Sequence, residues 1–191
     1  MNFKIIHFLD CLELLGEEDT KNILLTFSSI NVEVETFLKN NAISFNKQHQ
    51  AVTYLVMLEN EDELILSGYF SLSVRPTTIN CAEFSKTRKN KLRKIGRMNE
   101  DETSCSLSAY LIAQFGKNFE FNVINGNELM KLALQTIRPI QYQIGGSVIF
   151  LEAEDHEKLL NFYQNTNNQY IPFDDRITKD GTKLIQLYRF V

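Results

Sequence analysis

Apolar and polar positions alternate with two periods along this 191-residue chain, and the changes of period mark its elements. Side chains repeat on a strand face at every second residue and on a helix face at roughly every third or fourth. Phe3–Phe8 reads as a first strand. Asp19–Thr26 reads as a short helix, with Asp19 or Thr20 as its start signal. Asn31–Asn40 reads as a second helix, with Val32, Val34, Phe37 and Leu38 as its apolar positions. Ala51–Leu58 is rich in β-branched and aromatic residues and predicts a strand. Glu59–Asp62 is a polar turn, and Glu63–Val74 is the returning strand of a hairpin. Gly68 falls inside that strand, which signals a bulge or a close backbone approach. Pro76 closes this unit.

The second half alternates strand and helix. Ser106–Phe115 predicts a strand apolar enough to be buried on both faces. Gly126–Ile137 predicts a helix with Leu129, Met130, Leu132, Ala133, Leu134 and Ile137 on one wide face. Gly145-Gly146 breaks the chain before an apolar strand, Ser147–Ala153. Asp155 is placed to cap a short helix carrying Leu159, Leu160, Phe162 and Tyr163. Tyr170–Phe173 and Lys183–Val191 bracket an Asp180-Gly181 turn. Hairpins at both ends and strand–helix alternation between them predict an α/β (α+β) class, a mixed sheet with helices on both faces. The length predicts one domain over residues 1–191.

Hydrophobic residues make up 43% of the chain, enough for a sizeable core. No apolar run approaches the ~20 residues of a membrane helix, and the Met1–His7 start reads as a strand and not as a signal peptide. Cys11, Cys81 and Cys105 are odd in number and far apart, and His7, His49 and His156 do not cluster with them. The expectation is no disulfide framework, no metal and a reducing cytoplasm.

Charge changes the picture more. The net charge is −4, yet Lys86, Arg88, Lys89, Lys91, Arg93, Lys94 and Arg97 fall in one short segment without an acid. Residues 82–105 read as a basic, charged loop or insertion, either an anion-binding surface or a solvated loop. In the last third, a glycine opens a helix at Asn125-Gly126-Asn127-Glu128, a natural anion site. A strand and a helix ending in Phe162-Tyr163 follow.

Taken in order, these segments resemble the GNAT superfamily of acetyl-CoA-dependent N-acetyltransferases, in its toxin-like branch from bacteria, phages and mobile elements. Phe37–Ala42, Thr53–Val56 and Gly68–Leu72 carry the front of that resemblance. Ala113-Gln114-Phe115-Gly116-Lys117 resembles the family's central strand, Ile124–Leu129 its Gly-x-Gly pyrophosphate loop, and Asn161–Asn165 its helix with a Phe-Tyr signature. Two positions depart. Only Gly126 remains of the loop's glycines, with Ile124 and Phe121 at positions that are usually glycine and Arg/Gln. Asn167–Tyr170 replaces a Gly-Phe, where an asparagine could supply the left-handed backbone.

The resemblance implies a GNAT-like, mostly antiparallel sheet of six to seven strands with a central parallel, splayed pair. It implies acetyl-CoA as the acetyl donor. Asn125, Gly126, Asn127 and Glu128 would meet the pyrophosphate, and main-chain groups of Phe115, Gly116 and Lys117 the pantothenate arm. Tyr163 would act as general acid on the leaving thiolate. No general base is evident; His49 and Glu83 are candidates by residue type alone. The acceptor is a primary amine, or in the toxin-like branch the amine of aminoacyl-tRNA, with Lys89, Lys91, Arg93, Lys94 and Arg97 as the anion-binding set. Aromatic interleaving for base stacking is missing from that set. A homodimer and an antitoxin-like protein are the other partners implied; a non-catalytic relative is the contrasting reading.

Overall fold

The structure, a computed structural model, describes residues 2–60 and 63–191. The elements in chain order are β1 (Phe3–His7), α1 (Phe8–Leu25), α2 (Val32–Thr36), α3 (Ala42–Lys47), β2 (Val52–Asn60), β3 (Glu63–Asn80) and α4 (Lys86–Arg93). There follow β4 (Arg97–Met98), β5 (Ser104–Lys117), α5 (Gly126–Ile144), β6 (Val148–Glu154), α6 (Glu157–Gln164), β7 (Ile171–Ile177) and β8 (Lys183–Phe190). The strands order as β1-β2-β3-β5-β6-β8-β7, with β4 paired to β5. Among the described residues that makes eight strands: seven on the main path, at the top of the expected six to seven, and the two-residue β4. β1–β2, β2–β3, β6–β8 and β7–β8 are antiparallel, and β5–β6 is the parallel pair.

The chain divides into two compact units, residues 1–73 with 112–135 and residues 74–111 with 136–191. In the first, α1 runs much further than the predicted Asp19–Thr26. It continues through Gly16, whose φ of 79° puts a kink inside the helix. The buried Thr20 hydroxyl donates to the Gly16 carbonyl at 2.7 Å and holds the bend. The predicted Asn31–Asn40 helix is really α2, capped by the Asn31 side chain, followed by a π turn over Phe37–Asn41 and then α3. Phe8, Leu24, Phe27, Leu38, Leu55 and Tyr69 form its core.

Neighbouring β3 residues show where the helices lie. Tyr69 points at α2 and donates its hydroxyl to the Val34 carbonyl at 2.6 Å. A Cβ on Gly68 would point the other way, 3.3 Å from Leu129 of α5. Successive strand residues face opposite sides, so this unit has helices on both faces. Gly68 fulfils both of its expected roles. The β2–β3 register shifts between Val56 and Met57, opposite Gly68 and Leu66, and a Cβ at Gly68 would lie 2.9 Å from the Gly116 carbonyl oxygen.

Of the predicted Glu59–Asp62 turn, Glu59 and Asn60 belong to β2, and Glu61 and Asp62 lie outside the described residues. Pro76 does not end β3, which runs on to Asn80. β2 pairs with β3 only as far as Leu72, so a ladder donor is not required of residue 76 on that side. Likewise α5 passes through Pro139 to Ile144 instead of stopping at Ile137. The carbonyl that Pro139 leaves unbonded, four residues back at the exposed Gln135, can turn to water.

In the second unit Ile79, Cys81, Leu92, Cys105, Val148, Phe150, Phe173 and Tyr188 make the core. β5 is not buried on both faces throughout: Ser106 and Ser108 are exposed. α5 ends at Gly145 and Gly146, both with positive φ, and Tyr110 donates to the Gly145 carbonyl. α6 starts after His156; Asp155 does not cap it and instead pairs with Lys183 at 3.1 Å. The Asp180-Gly181 turn joins β7 to β8, with Gly181 at φ 90°. The edge strand β7 carries Pro172, Asp174, Asp175 and Arg176, a composition that resists edge-to-edge pairing.

Candidate active site

The first unit holds Phe115–Lys117 and Asn125–Glu128. Gly116 is a close-packing position: a Cβ there would lie 2.5 Å from Val34 Cγ1 and 3.2 Å from Phe27 Cζ. The Lys117 side chain is occupied elsewhere, donating to Asn122 Oδ1 at 2.7 Å and lying over the Phe119 ring at 4.5 Å. Any part it plays toward a ligand is therefore through its main chain.

Directly after β5 comes a residue that the sequence reading missed. Asn118 is fully buried. Its Nδ2 donates to the Thr26 and Leu66 carbonyls at 3.0 and 2.8 Å, and its Oδ1 accepts from the Ser28 and Glu120 amides, both at 3.0 Å. Its own amide donates to the Ser67 carbonyl at 2.8 Å. One side chain thus clips the end of α1, the first part of β3 and the loop after β5. Hydrophobic periodicity carries no signal for a buried asparagine, so nothing in the pattern marks it.

At the α5 N-terminus Asn125 acts as the helix cap. Its Oδ1 accepts from the Glu128 amide at 2.9 Å, and its carbonyl accepts from Leu129 at 3.0 Å. Asn125, Asn127 and Glu128 are on the accessible side, whereas Leu129 and Met130 are fully buried. The terminus is reachable by an anion, and the four first-turn donors of a helix attract one. The Glu128 amide is already engaged, so an arriving phosphate must compete with the Asn125 side chain for it.

The second unit holds Tyr163 and the basic segment. Tyr163 is 7% exposed, between Phe162 at 4.9 Å and Tyr170 at 5.8 Å, both edge-on. Burial raises its pKa well above the usual phenol range, so it keeps its proton at neutral pH and can only donate. The chain turns after α6 with Gln169, not an asparagine, in the left-handed region at φ 57°. The buried Asn168 instead donates its side chain to the Phe162 carbonyl at 2.7 Å, and Arg189 donates to the Asn168 carbonyl at 2.7 Å.

The basic stretch is not a loop. Ser85 caps α4, and the helix's single buried residue, Leu92, inserts into the core. The seven cations are not equivalent. Arg93 pairs with Glu102, Arg88 lies 5.9 Å over Phe84, and Lys91 lies 5.6 Å over Phe190. Lys86, Lys94 and Arg97 project from the surface, and Lys89 is half-buried. The aromatic partners missing from the segment itself are supplied from outside it, Phe84 from just before α4 and Phe190 from β8.

Two cavities accompany these elements. One in the second unit, about 320 Å³, is lined by Phe84, Phe173, Pro172 and Ile185 with Glu83, Asp174 and Asp175 at its rim. One in the first unit, about 390 Å³, is lined by Leu25, Phe27 and Phe121 with Glu35, Lys39 and Glu120. The two general-base candidates fall in different units: Glu83 lines the acidic cavity, and the exposed His49 ends α3 at φ 55°. Among the described residues no group of three or more His, Cys, Asp or Glu is arranged to hold a metal ion. The three cysteines are free and buried. No described helix is long and apolar enough to cross a membrane.

No family model matches the chain, and no curated protein matches its sequence. Solved structures do match. AtaT complexed with acetyl-methionyl-tRNAfMet aligns over 96% of this chain and 94% of its own, at 17% identity and a TM-score of 0.66. A tyrosine-to-phenylalanine variant of KacT aligns over 100% and 95%, at 15% identity and 0.66. A tyrosine-to-phenylalanine variant of the AtaT toxin bound to the C-terminus of the antitoxin AtaR and acetyl-CoA aligns over 100% and 94%, at 14% identity and 0.63. At such identities the likeness is one of fold: the chain has the fold of AtaT and KacT, GNAT-like as the order of its motifs led us to expect.

Proposed function

We propose that the protein is an acetyl-CoA-dependent N-acetyltransferase acting on a primary amine. The observation that carries this is the match of essentially the whole chain to a toxin structure bound to acetyl-CoA. Acetyl-CoA would supply an acetyl thioester. The neutral acceptor amine attacks its carbonyl carbon, a C–N bond forms and the C–S bond breaks. Tyr163 gives its hydroxyl proton to the departing thiolate and regains one from solvent, while the acetylated nitrogen releases its proton to water. The start of α5 at Gly126 and Asn127 meets the pyrophosphate, with the Asn125 cap yielding to it. Main-chain groups of Phe115–Lys117 meet the pantothenate arm. The buried free thiols suit a reducing compartment, the cytoplasm.

Two observations favour aminoacyl-tRNA as the acceptor: the likeness to AtaT complexed with acetyl-methionyl-tRNAfMet, and the basic helix α4 with Phe84 and Phe190 beside its cations. Cations hold phosphates, and the two part-buried rings hold Arg88 and Lys91 in place at the helix surface. An antitoxin-like protein is the matching protein partner, by analogy with AtaT and AtaR.

Thiol release from acetyl-CoA in the presence of charged tRNA tests both readings. Tyr163→Phe should lower turnover by about 10²-fold while leaving the thermal shift given by acetyl-CoA intact. The raised phenol pKa places the loss of the acid form above about pH 10, so no decline due to Tyr163 is expected near neutral pH. No thermal shift with acetyl-CoA would instead make the chain a non-catalytic relative.

A further inference from the structure

The second unit's cavity is a built feature that neither the donor nor the tRNA reading uses. Its floor is aromatic and braced by one ring. Phe84 stacks on the fully buried Tyr188 at 5.8 Å, and Phe173 meets the same ring edge-on at 5.9 Å. Pro172 and Ile185 complete the apolar lining, and the volume of about 320 Å³ is small for a whole ligand and suits a side chain. One wall is β7, which pairs with β8 alone and shifts its register between Pro172 and Asp174. Among the described residues the other edge of β7 is unpaired, so its outer backbone groups are open to an added strand.

The charges select the occupant. Glu83, Asp174 and Asp175 are exposed at the rim, and none has an ion-pair partner among the described residues. The cations nearby are committed: Arg176 to Glu152, Lys183 to Asp155 at 3.1 Å, and Arg88 to the Phe84 ring at 5.9 Å. Three free carboxylates around an apolar floor repel phosphates. They also repel β7 of a second copy, which would set Asp174 and Asp175 against their own kind. A strand that carries cations is attracted.

We infer that this cavity and the open edge of β7 form a docking site for a basic, extended peptide segment of another protein. The segment adds alongside β7, seats one apolar side chain on Phe84, Phe173 and Pro172, and brings lysines or arginines to Glu83, Asp174 and Asp175. The site goes beyond the acetyltransferase reading and does not depend on it.

The test uses the full chain and a fluorescein-labelled peptide, Lys-Val-Lys-Phe-Lys-Val-Lys, read by fluorescence anisotropy. The peptide should bind saturably, and more weakly as salt rises. A peptide with alanine for the central phenylalanine should bind about tenfold more weakly, and one with glutamate for every lysine not at all. Glu83→Gln, Asp174→Asn and Asp175→Asn together should weaken binding about tenfold; all three residues are at the surface, and an unchanged melting temperature verifies the fold. Glu13→Gln, Glu18→Gln and Asp19→Asn together remove the same charge from exposed positions of α1 and should leave the affinity unchanged. Hydrogen exchange of the complex should show added protection at β7 amides. No saturable binding, equal binding of the alanine peptide, equal losses in the two triple variants, or protection confined to other elements overturns the site. So does self-association at the assay concentration that the Glu83, Asp174 and Asp175 variant abolishes, because a second copy is then the occupant.

Discussion

The two units bury polar groups differently. The first holds Thr20, Asn46, Thr53, Ser67, Ser71 and Asn118 inside, and side-chain hydrogen bonds join them to backbone and to one another. Asn46, Thr53 and Ser71 form a chain of such bonds at 2.9 and 2.8 Å. The second is built on aromatic contacts around Tyr188, with Phe84 stacked on it and Phe173 and Phe190 edge-on. There Asn168 is the buried polar side chain, bonded to the Phe162 carbonyl, and the Tyr188 hydroxyl is buried without a hydrogen-bond partner, as Ser73 Oγ is at the end of the first unit. A network of bonds fixes a unique arrangement and fails abruptly when a member is lost; an aromatic cluster is held mainly by area and tolerates the loss of a polar atom.

Asn118→Leu is the strongest way to sharpen that contrast. It strands two carbonyls and two amides, and should cost about 3 kcal/mol or more in urea unfolding. A loss below about 1 kcal/mol would mean that water replaces the clip. Next comes Gly68→Ala, whose Cβ meets the Gly116 carbonyl oxygen, part of a backbone that cannot swing aside as a side-chain tip can. About 1–3 kcal/mol is expected. The smallest effects form a pair. Tyr69→Phe loses its bond to the Val34 carbonyl and should cost about 1 kcal/mol, whereas Tyr188→Phe removes an unpartnered hydroxyl and should be neutral or slightly stabilising. Equal losses at the two tyrosines would end the comparison.

What the sequence made legible follows the same physics. β2, β6 and β8 are apolar enough to be placed within a residue or two, and the start of α5 is marked by Asn125-Gly126. α4 was hidden because five cations and one apolar anchor give no amphipathic period. Pro76 was read as a stop, and the helix from Gly126 was ended at Ile137; the unpaired side of β3 and the exposed Gln135 let both elements run on, α5 through Pro139. The candidate site rests on motifs read in order, and of Tyr163 the structure shows burial between Phe162 and Tyr170. The Asn125 cap, the Asn118 clip and the Phe84 and Phe190 partners depend on contacts made at long range, which spacing along a chain does not encode.

The anchoring of α4 through Leu92 has a kinetic consequence. Seven cations in that segment against a net charge of −4 leave eleven net negative charges on the remainder. A polyanion repels most of this protein and attracts one ordered helix, so encounters succeed only from that direction. Added salt then has two opposed effects, relaxing the repulsion of the body and weakening the pull of the helix. The association rate is expected to fall with ionic strength less steeply than seven cations alone would give, and charge reversal on the acidic body should accelerate capture without a new contact being made.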